Sequence, residues 1–558
     1  MSTPTRIPVP PYLTAEWERP EDADGFWTQD RMHFPDPIPQ LDDSLIRIFY
    51  SIGMNHGFTF YDIPLRASAR RFWTHHYLML MPLQLSPDEL AAMEKRSEQT
   101  VRASMGQLQK NWDTEWLPEI RQTIDAWERF DLAGATTLEL ADHLDAVLDK
   151  LKRLFAIHFE VALPSMVPVS LFEELYGELF GGADRLEPYR LLQGLDNKTV
   201  ASNLALWRLS QKASSIPAVR RIMETMPADQ VVRALDASPE SRAFLTDFRA
   251  YLDEYGRRSD YWWSVSRPSW FEDPSAPIEM MKGYLAQPDK NPELEMAALA
   301  AEREQLVAAA REQLEMYPQA VRDQFEFLLR AARVGTVLSE DHGYWLDFRA
   351  ASDARQVFVE AGQRLAAAGS IANPADVVHL THDEISDALR AATPLNFRLT
   401  VAERAAEIER YHGVELPPAI GTQPPGPPPD NPGLRTLTKF FGVQPEDSDD
   451  PSVLLGAAGS AGVVRGPAKV VRSLADADKI VPGDVLIAET TAPPWTPLFG
   501  TVAAVVTDTG GVLSHCAVVA REYGIPAVVG TGFATAKITD GQMVEVDGGR
   551  GVVRIISD

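Results

Sequence analysis

A single histidine gives the strongest chemical signal in this sequence. His515 lies within residues 507–530, just after a glycine-rich turn. The β-branched run at residues 501–506 predicts a buried strand before the turn, and the later residues predict a helix over 515–523 and a second strand at 525–529. His515 then falls in the first helical turn, where free backbone N–H groups and the positive end of the helix dipole gather. An imidazole in that position is suited to accept a phosphoryl group on a ring nitrogen.

The residues around this histidine favour a tight turn followed by a helix. Gly510 and Gly511 permit backbone angles that other residues resist. Ser514 is a good N-cap residue, and Gly524 suits the position just past the helix end. The alternative is ordinary loop chemistry with His515 as a surface residue, because one histidine at a capped turn is weak evidence by itself.

The stretch resembles the phosphohistidine motif in the swivelling domain of the phosphoenolpyruvate-utilising enzymes, the family of phosphoenolpyruvate synthase, pyruvate phosphate dikinase and rifampicin phosphotransferase. Within the stretch the resemblance rests on Gly510, Gly511, Ser514, His515, Ala517, Ala520, Arg521, Gly524, Ile525, Pro526 and Gly530. Upstream it rests on Gly462, Gly466, Pro467, Gly483, Asp484, Val485, Leu486, Thr491, Trp495, Thr496 and Pro497. The resemblance implies that His515 carries the phosphoryl group. It also implies that five residues stabilise that group, namely Thr509, Gly510, Gly511, Ser514 and Arg521.

Three positions depart from the family pattern. Leu513 stands where the dikinases have a regulatory threonine, so control by phosphorylation of that threonine is not expected. Cys516 replaces a usual alanine, and Ala492 stands where relatives often have an acidic residue. Neither of these two changes removes the nucleophile.

Composition restricts the class of protein. The chain has 558 residues, a formal net charge of −26 and a pI near 4.9. This acidity argues against a broad nucleic-acid surface, which needs clustered basic residues. Cys516 is the only cysteine, which excludes an internal disulfide and fits a reducing cytoplasm. The N-terminal sequence lacks the apolar core of a signal peptide, and no run of about 18 apolar residues indicates a membrane span. We therefore expect a cytoplasmic protein that contacts neither nucleic acid nor membrane.

The pattern along the chain predicts several domains: a large, mainly α-helical domain followed by a small α/β swivelling phosphohistidine domain. Residues 1–40 are predicted to form an extended N-terminal arm, and residues 41–415 a helical domain that binds the acceptor substrate. Residues 416–450 are a proline-rich linker, and residues 451–558 form the swivelling domain. A semi-rigid tether before a compact carrier suggests a domain that moves between two sites. The alternative is a linker that packs along the surface.

Local signals place several helices in the helical domain. Thr136 and Glu139 form a capping-box pattern, and residues 86–89 (Ser-Pro-Asp-Glu) are a second helix start. Residues 293–316 are rich in good helix formers and predict a long surface helix.

The helical domain has a resemblance of its own, to the acceptor-substrate region of rifampicin phosphotransferase. The similar segments are residues 255–258, 266–274, 340–347, 362–365 and 376–381. The resemblance implies that this domain binds the molecule to be phosphorylated. Arg257, Arg258 and Arg267 are candidate cations for the transferring group, with ordinary salt bridges as the alternative. Trp262 and Trp263 are candidates for a flat apolar pocket wall that fits a phenolic acceptor, with a core role as the alternative.

Four histidines are candidates for the base that removes the acceptor's proton, namely His56, His75, His76 and His342. His75 and His76 are assigned to a helix, on which at most one of the two faces a pocket. His342 is favoured because it lies in the similar segment 340–347. For each histidine a structural role is the alternative.

A second pair of histidines suggests a metal site by its spacing. His379 and His382 are three residues apart, but Thr381 with Glu384 forms a helix cap, so the cluster is interpreted as a helix start. No metal site is expected on this chain.

The parts of the family that the sequence lacks predict a partner. The nucleotide-binding ATP-grasp domain normally precedes this region, yet the helical pattern begins near residue 41, and no Gly-x4-Gly-Lys-Ser/Thr loop is found. The sequence after His515 is too short for the barrel domain that binds pyruvate or phosphoenolpyruvate. The architecture resembles the histidine-bearing subunit of phenylphosphate synthase, which implies a separate ATP-grasp subunit that binds Mg²⁺ and ATP.

Three hypotheses for function follow. In the first, the chain is a phosphotransferase subunit that accepts phosphate on His515 and passes it to a hydroxyl of a small aromatic or phenolic molecule. In the second, it is a phosphocarrier or regulatory protein that passes phosphate to another protein. In the third, it is an inactive binding scaffold.

Overall fold

The computed structural model describes residues 5–181, 185–424, 432–443 and 448–556. It divides into two compact units. Unit 1 is formed by residues 1–164, 263–267 and 345–429, and unit 2 by residues 165–262, 268–344 and 430–558. The four-domain division predicted from the sequence stays a prediction. The centre of the predicted linker, residues 425–431, lies outside the described residues.

The α-helices of the described residues are, in chain order, α1 (Gln40–Ile48), α2 (Asn55–Phe60), α3 (Pro87–Asn111), α4 (Leu117–Glu128), α5 (Thr137–Phe180), α6 (Glu187–Arg190), α7 (Lys198–Ser215), α8 (Pro217–Thr225), α9 (Ala228–Ala237), α10 (Arg242–Tyr255), α11 (Ser275–Leu285), α12 (Pro292–Gln313), α13 (Gln319–His342), α14 (Ala350–Ala367), α15 (His382–Arg390), α16 (Arg398–Tyr411), α17 (Pro432–Phe441), α18 (Thr496–Phe499), α19 (His515–Glu522) and α20 (Ala534–Lys537). The strands are β1 (Thr5–Ile7), β2 (Phe26–Gln29), β3 (Leu65–Phe72), β4 (His75–Pro82), β5 (Ala419–Gln423), β6 (Val453–Leu455), β7 (Ala457–Ser460), β8 (Val463–Val470), β9 (Val485–Ala488), β10 (Ala504–Thr507), β11 (Ala527–Val529), β12 (Met543–Asp547) and β13 (Val552–Ile555).

Several helix starts confirm the local sequence rules. Ser86 and Glu89 form a complete capping box at the start of α3, and Thr381 and Glu384 form another before α15. The long surface helix predicted over 293–316 is α12, followed by a short 3-10 turn. These starts were readable because a cap depends only on residues within one helical turn.

Unit 1 contains a five-stranded antiparallel sheet in the order β1-β5-β2-β4-β3. The prediction of a helix at His75 and His76 is wrong, since both residues begin β4. Trp73 and Thr74 adopt φ of 49° and 65°, so a two-residue turn pairs Phe72 with His75. The prediction of an extended arm at residues 1–40 also lacks β1 and β2, which belong to this sheet.

Helix α5 is an exception to the expected absence of a membrane-length apolar segment. It has 44 residues, and its best 18-residue window has a mean hydropathy of 1.6, enough to cross a membrane by length and composition. Since 89% of that window is buried within the structure, α5 has the character of a core helix.

Unit 2 contains an eight-stranded sheet in the order β6-β13-β12-β8-β9-β10-β11-β7. Its centre, from β8 through β11, is parallel, and its outer pairs are antiparallel. Helix α19 connects β10 to its parallel neighbour β11, which confirms the predicted strand–helix–strand unit around His515. We call residues 448–556, which contain this sheet, the histidine module. The chain is thus a mainly helical region followed by an α/β module, as predicted.

One apolar core joins the histidine module to the helices of unit 2. Leu486, Val505 and Ala517 of the module belong to the same buried cluster as Phe244 and Phe248 of α10. Burial of such a cluster is the main stabilising contribution to this arrangement of unit 2. The core therefore sets the distance between α19 and the helices that surround it.

Helix α13 is held close to α5 by a glycine, and this contact generates a prediction. A Cβ atom on Gly335 would lie 2.1 Å from the carbonyl oxygen of Ser165. We expect Gly335→Ala to lower the free energy of unfolding by about 1–3 kcal/mol, because α13 must move away from α5. Denaturant unfolding of the full chain measures the change.

The matched control is Gly177→Ala, at an exposed position of α5 where a Cβ would meet nothing within 4 Å. This substitution should stabilise the protein by about 0.5–1 kcal/mol through helix propensity. Equal effects of the two substitutions would contradict the close contact at Gly335.

Candidate active site: a buried histidine–glutamate pair

His515 is positioned by the turn between β10 and α19. Ser514 is the N-cap residue, with extended angles of φ −66° and ψ 157°, and His515 is the first helical residue. Gly510 adopts φ of +93°, a conformation that favours glycine. The amides of the first turn have no acceptor within their own helix, so they face the start of α19 with their partial positive charge. The carboxyl ends of the parallel strands, where α/β ligands commonly bind, meet at this edge of the sheet.

Hydrogen bonds fix the loop that precedes His515. The Thr509 hydroxyl donates to the Glu489 carbonyl over 3.0 Å. The Gly511 amide donates to the Phe440 carbonyl over 2.9 Å. In this conformation two of the predicted phosphate-stabilising residues therefore already have partners, and their contact with phosphate stays a prediction.

Arg521 fixes the same loop from the other side. Its Nε donates to the Gly459 carbonyl over 2.9 Å, and its Nη2 donates to the Val512 carbonyl. Its guanidinium also lies 4.1 Å from the ring centroid of Tyr189. Arg521 thus positions the loop. Its contact with phosphate stays a prediction.

Both ring nitrogens of His515 have polar neighbours. Nδ1 lies 3.1 Å from Oε1 of Glu340, and Nε2 lies 3.2 Å from Oγ1 of Thr496. An ionised carboxylate only accepts hydrogen bonds, so Nδ1 carries the proton and Nε2 keeps its lone pair. The side chain of His515 is 13% exposed. Nε2 is therefore the nitrogen available for nucleophilic attack.

Glu340 is held in its ionised form by its neighbours. It lies on α13, is buried, and accepts from the Thr199 hydroxyl through Oε2 over 2.8 Å. Burial alone raises the pKa of this carboxyl, but its interaction with His515, together with the Thr199 hydroxyl, outweighs burial and lowers it. An ionised Glu340 stabilises the Nδ1–H form of His515.

A buried hydroxyl lies beside this pair. Ser514 is buried, and its Oγ has no hydrogen-bond partner among the described residues. A Cβ on Gly510 would lie 2.9 Å from that Oγ, so the two residues are in close contact. An unpaired buried hydroxyl is costly unless a ligand completes it. Ser514 therefore has free capacity for a phosphoryl oxygen.

Arg258 is a buried cation near Glu340, and Lys198 contacts the neighbouring carboxylate through its main chain. Arg258 donates from Nε to the Tyr255 carbonyl over 2.9 Å and interacts with the charge of Glu340. Burial lowers the pKa of Arg258, and the surrounding tyrosines with Glu340 oppose that shift. The backbone amide of Lys198 donates to Asp341, next to Glu340, over 2.7 Å.

Aromatic rings surround these cations. The guanidinium of Arg258 lies 5.3 Å from the Trp270 ring and 5.6 Å from the Tyr344 ring. The ammonium of Lys198 lies 5.0 Å from the Tyr344 ring and forms an ion pair with Glu254 over 2.9 Å. Cations held over aromatic faces are positioned with little freedom.

The other predicted acceptor residues lie in different places. Arg257 lies over the Phe271 ring at 4.8 Å, and Trp262 is half-buried. Arg267, in unit 1, is exposed. Trp263, also in unit 1, is fully buried against Phe155 with ring centroids 5.2 Å apart. These surroundings favour a core role for Trp263.

The predicted base His342 is anchored within its own helix. It is buried, and its Nδ1 donates to the Leu338 carbonyl over 2.6 Å. A carbonyl can only accept, so the proton is on Nδ1 and Nε2 is the nitrogen with a lone pair. This tautomer is compatible with a base, and the role of His342 stays a prediction.

The residues that touch His515 were not identified as functional from the sequence. Glu340 lies in the segment 340–347 and Thr496 beside Trp495, both noted only for their resemblance. That resemblance was the one available signal. Their approach to His515 depends on tertiary packing, which spacing along the chain does not reveal.

Two family models match the chain. The rifampicin phosphotransferase fourth domain matches residues 158–340, and the mobile domain of PEP-utilising enzymes matches residues 480–551. These two matches confirm the resemblance to the PEP-utilising enzymes over residues 158–340 and 480–551. His515 and Thr496 lie in the second match, and Glu340 is the last residue of the first, so the pair joins the two matched segments.

Full-length relatives are longer than this chain. A chondramide synthase, cmdD, from Chondromyces crocatus is 38% identical over 99% of this chain and 14% of its own length. The uncharacterized phosphotransferase YvkC from Bacillus subtilis is 28% identical over 79% of this chain and 52% of its own length. A rifampicin phosphotransferase from Streptomyces sviceus is 30% identical over 77% of this chain and 48% of its own length. The chain spans about half the length of these relatives or less.

The Glu340–His515 pair generates the next prediction. Glu340→Gln keeps an oxygen that accepts from Nδ1 but removes the charge, so we expect phosphorylation of His515 to slow on the order of 100-fold. Glu340→Ala should in addition allow the other ring tautomer, visible in the ¹⁵N shifts of the His515 ring. The matched control is Asp341→Asn, whose carboxylate accepts from Lys198 instead of His515. An unchanged rate in Glu340→Gln would contradict the role of the charge.

A buried carboxyl on α19 predicts a pH effect on stability. Glu522 accepts from the Gly194 amide over 2.8 Å. Burial raises its pKa to about 7, although the Gly194 amide, Arg521 and Arg303 lower it. Because the folded pKa is raised, the contribution of Glu522 to stability is full below its unfolded pKa and is lost as the pH rises through about 7.

We therefore expect Glu522→Gln to raise the free energy of unfolding by about 1–3 kcal/mol near pH 8 and by much less near pH 4. Thermal unfolding at several pH values measures the difference. The control is Glu312→Gln, an exposed carboxylate that should show no such trend. A pH-independent effect of Glu522→Gln would contradict the raised pKa.

Proposed function

We propose that this protein is the histidine-bearing part of an ATP-dependent phosphotransferase. His515 accepts a phosphoryl group on Nε2 and passes it to a hydroxyl of a small, aromatic or phenolic molecule. The observation that supports this most directly is the pair of contacts that leaves Nε2 with its lone pair, namely Nδ1 to Glu340 and Nε2 to the Thr496 hydroxyl.

In the first step Nε2 attacks a phosphorus atom of ATP. The P–N bond forms, the bond from that phosphorus to the bridging oxygen breaks, and the remaining part of the nucleotide leaves with the electron pair. The proton on Nδ1 stays between His515 and Glu340, so the imidazole that becomes positively charged on attack is stabilised by the carboxylate. The Ser514 hydroxyl and the first-turn amides of α19 would stabilise the phosphoryl oxygens.

In the second step the hydroxyl oxygen of the acceptor attacks phosphorus. The P–O bond forms, the P–N bond breaks, and its electron pair returns to Nε2. The hydroxyl proton passes to a base, for which His342 and Glu340 are the candidates. Arg258, which interacts with the charge of Glu340, would stabilise the charge on the transferring group.

The aromatic surroundings support the class of acceptor. Tyr344 lies beside both cations, and Trp270 and Tyr255 lie against Arg258 or Lys198. Flat apolar rings with a few polar groups are typical of sites for small aromatic molecules. A phenolic acceptor fits these surroundings.

The phosphoryl donor is the other part of the proposal. We propose that Mg²⁺ and ATP are bound by an ATP-grasp module outside the described residues, in a separate subunit as in phenylphosphate synthase. The greater length of the relatives supports a division of the reaction between this chain and further sequence.

Chemical phosphorylation tests the nucleophile without the partner. Potassium phosphoramidate phosphorylates imidazoles directly, so we expect an acid-labile phosphoryl group on the peptide that contains His515, besides any on exposed histidines such as His412, located by mass spectrometry at neutral pH. His515→Ala should lose the label on this peptide, whereas His412→Ala should retain it. An unmodified protein with no phosphoryl group on this peptide would contradict the proposal.

Transfer of the phosphoryl group from the labelled protein then distinguishes the three functional hypotheses. Transfer of the label to small phenols supports the phosphotransferase, and transfer only to another protein supports a phosphocarrier. A label that transfers to neither, with no labelling by ATP and an ATP-grasp partner, would indicate a binding scaffold.

A further inference from the structure

Helix α17 lies within the predicted linker (residues 416–450), and it contacts the loop that precedes His515. The Gly511 amide donates to the Phe440 carbonyl and the Leu513 amide to the Lys439 carbonyl, each over 2.9 Å. These bonds hold both ends of a three-residue stretch that ends one residue before the N-cap of α19. The main chain of α17 therefore sets the path of the loop into His515.

The fit between α17 and this loop leaves no space for a side chain. A Cβ on Gly511 would lie 2.2 Å from the Lys439 carbonyl oxygen, and one on Gly442 would lie 2.6 Å from the Gly510 carbonyl oxygen. Two segments packed this closely exclude water from the bonds between them. The Gly511 and Leu513 amides can therefore exchange only when α17 and the loop separate.

The side chains of α17 make a different kind of contact, with acidic residues of α5. Nζ of Lys439 lies 2.8 Å from Glu173, 3.2 Å from Glu174 and 3.0 Å from the Ser170 hydroxyl. Arg435 donates to both oxygens of Glu174, over 3.1 and 3.2 Å. These groups are 21% to 39% exposed, so water can replace the contacts when they break.

A second path runs from Glu173 to the same loop. The Tyr189 hydroxyl donates to Glu173 over 2.7 Å, and the ring of Tyr189 lies under the guanidinium of Arg521. Arg521 in turn donates to the Val512 carbonyl. The amides and the central carbonyl of the loop are thus tied, through Lys439 and Arg521, to one glutamate on α5.

In this position, which we call docked, His515 is shielded from a phosphoryl donor. Its ring is 13% exposed, and both of its nitrogens have polar neighbours in the docked state. Ion pairs that are partly exposed are weaker and more salt-sensitive than the main-chain bonds and the apolar core. We therefore expect the ion pairs to break before the main-chain bonds and the apolar core.

We propose that Lys439 is a positioning residue for His515. Its carbonyl fixes the loop, and its ammonium, with Glu173 and Glu174, forms an ionic latch that holds the histidine module against α5. The latch rests on the proposed function, because it explains how a docked phosphohistidine is released and returned.

Hydrogen exchange in the full chain tests the latch. We expect Lys439→Met to speed exchange of the Gly511 and Leu513 amides by about tenfold, and Lys439→Arg to restore slow exchange. Added salt should speed exchange in the unmodified protein but have little further effect in Lys439→Met. In a background with Glu173→Gln and Glu174→Gln, Lys439→Met should add little, because its partners are already neutral.

The matched control removes an ion pair of the same module that does not reach α5. Arg465 pairs with Glu545 over 2.6 Å between neighbouring strands, and Arg465→Gln should leave the two amides unchanged. Unchanged exchange in a folded Lys439→Met protein, or a full additional effect of Lys439→Met in the neutral-glutamate background, would overturn the latch.

Chemical labelling distinguishes this failure from that of the proposed function. Phosphoramidate should label His515 about tenfold faster in Lys439→Met than in the unmodified protein, because the module opens more often. If His515 is not labelled in any variant, the proposed function fails while the exchange data still decide the latch.

Discussion

The hydrogen bond between Nδ1 of His515 and Glu340 is the constraint on which the site depends. It joins residues 175 positions apart, over 3.1 Å, in a region where both side chains are largely buried. A carboxylate in such a place needs partners, since burial alone favours its neutral form. The close approach of α13 to α5 at Gly335 and the glycine turn before α19 both help to bring these two groups together. The orientation of the imidazole follows from their meeting.

The sequence predicts those structural features that depend only on residues close together in the chain. The strand–helix–strand unit around His515 and the capping boxes at Ser86 and Thr381 were readable because each rule acts within a few residues. The β3–β4 hairpin was not readable from the sequence, because Trp73 and Thr74 take positive φ values that usually need glycine. The local pattern predicts a helix there instead. Contacts over long separations, such as Glu340 with His515, depend on how whole helices pack.

The glycine-rich turn shows where a local motif says too little. The resemblance implies that Gly510 and Gly511 stabilise a phosphoryl group, yet the Gly511 amide binds the Phe440 carbonyl of α17. A tight glycine turn serves here to let another main chain approach closely, as the 2.2 Å contact expected for a Cβ on Gly511 indicates. The polar groups nearest Nε2 are then the Thr496 hydroxyl, at 3.2 Å, and the first turn of α19.

Burial alone does not decide the charge of the carboxyls near α19. Glu340, Asp341 and Glu522 are all withdrawn from water, and burial raises the pKa of each. Only Glu340 has an imidazole as partner, and only its pKa falls below the usual value, whereas those of Asp341 and Glu522 rise to about 6 and about 7. A backbone amide and nearby cations do not offset desolvation at Asp341 and Glu522, but a histidine and a hydroxyl together do so at Glu340. Of these three carboxyls, the one that touches His515 is therefore the one whose ionised form its surroundings favour.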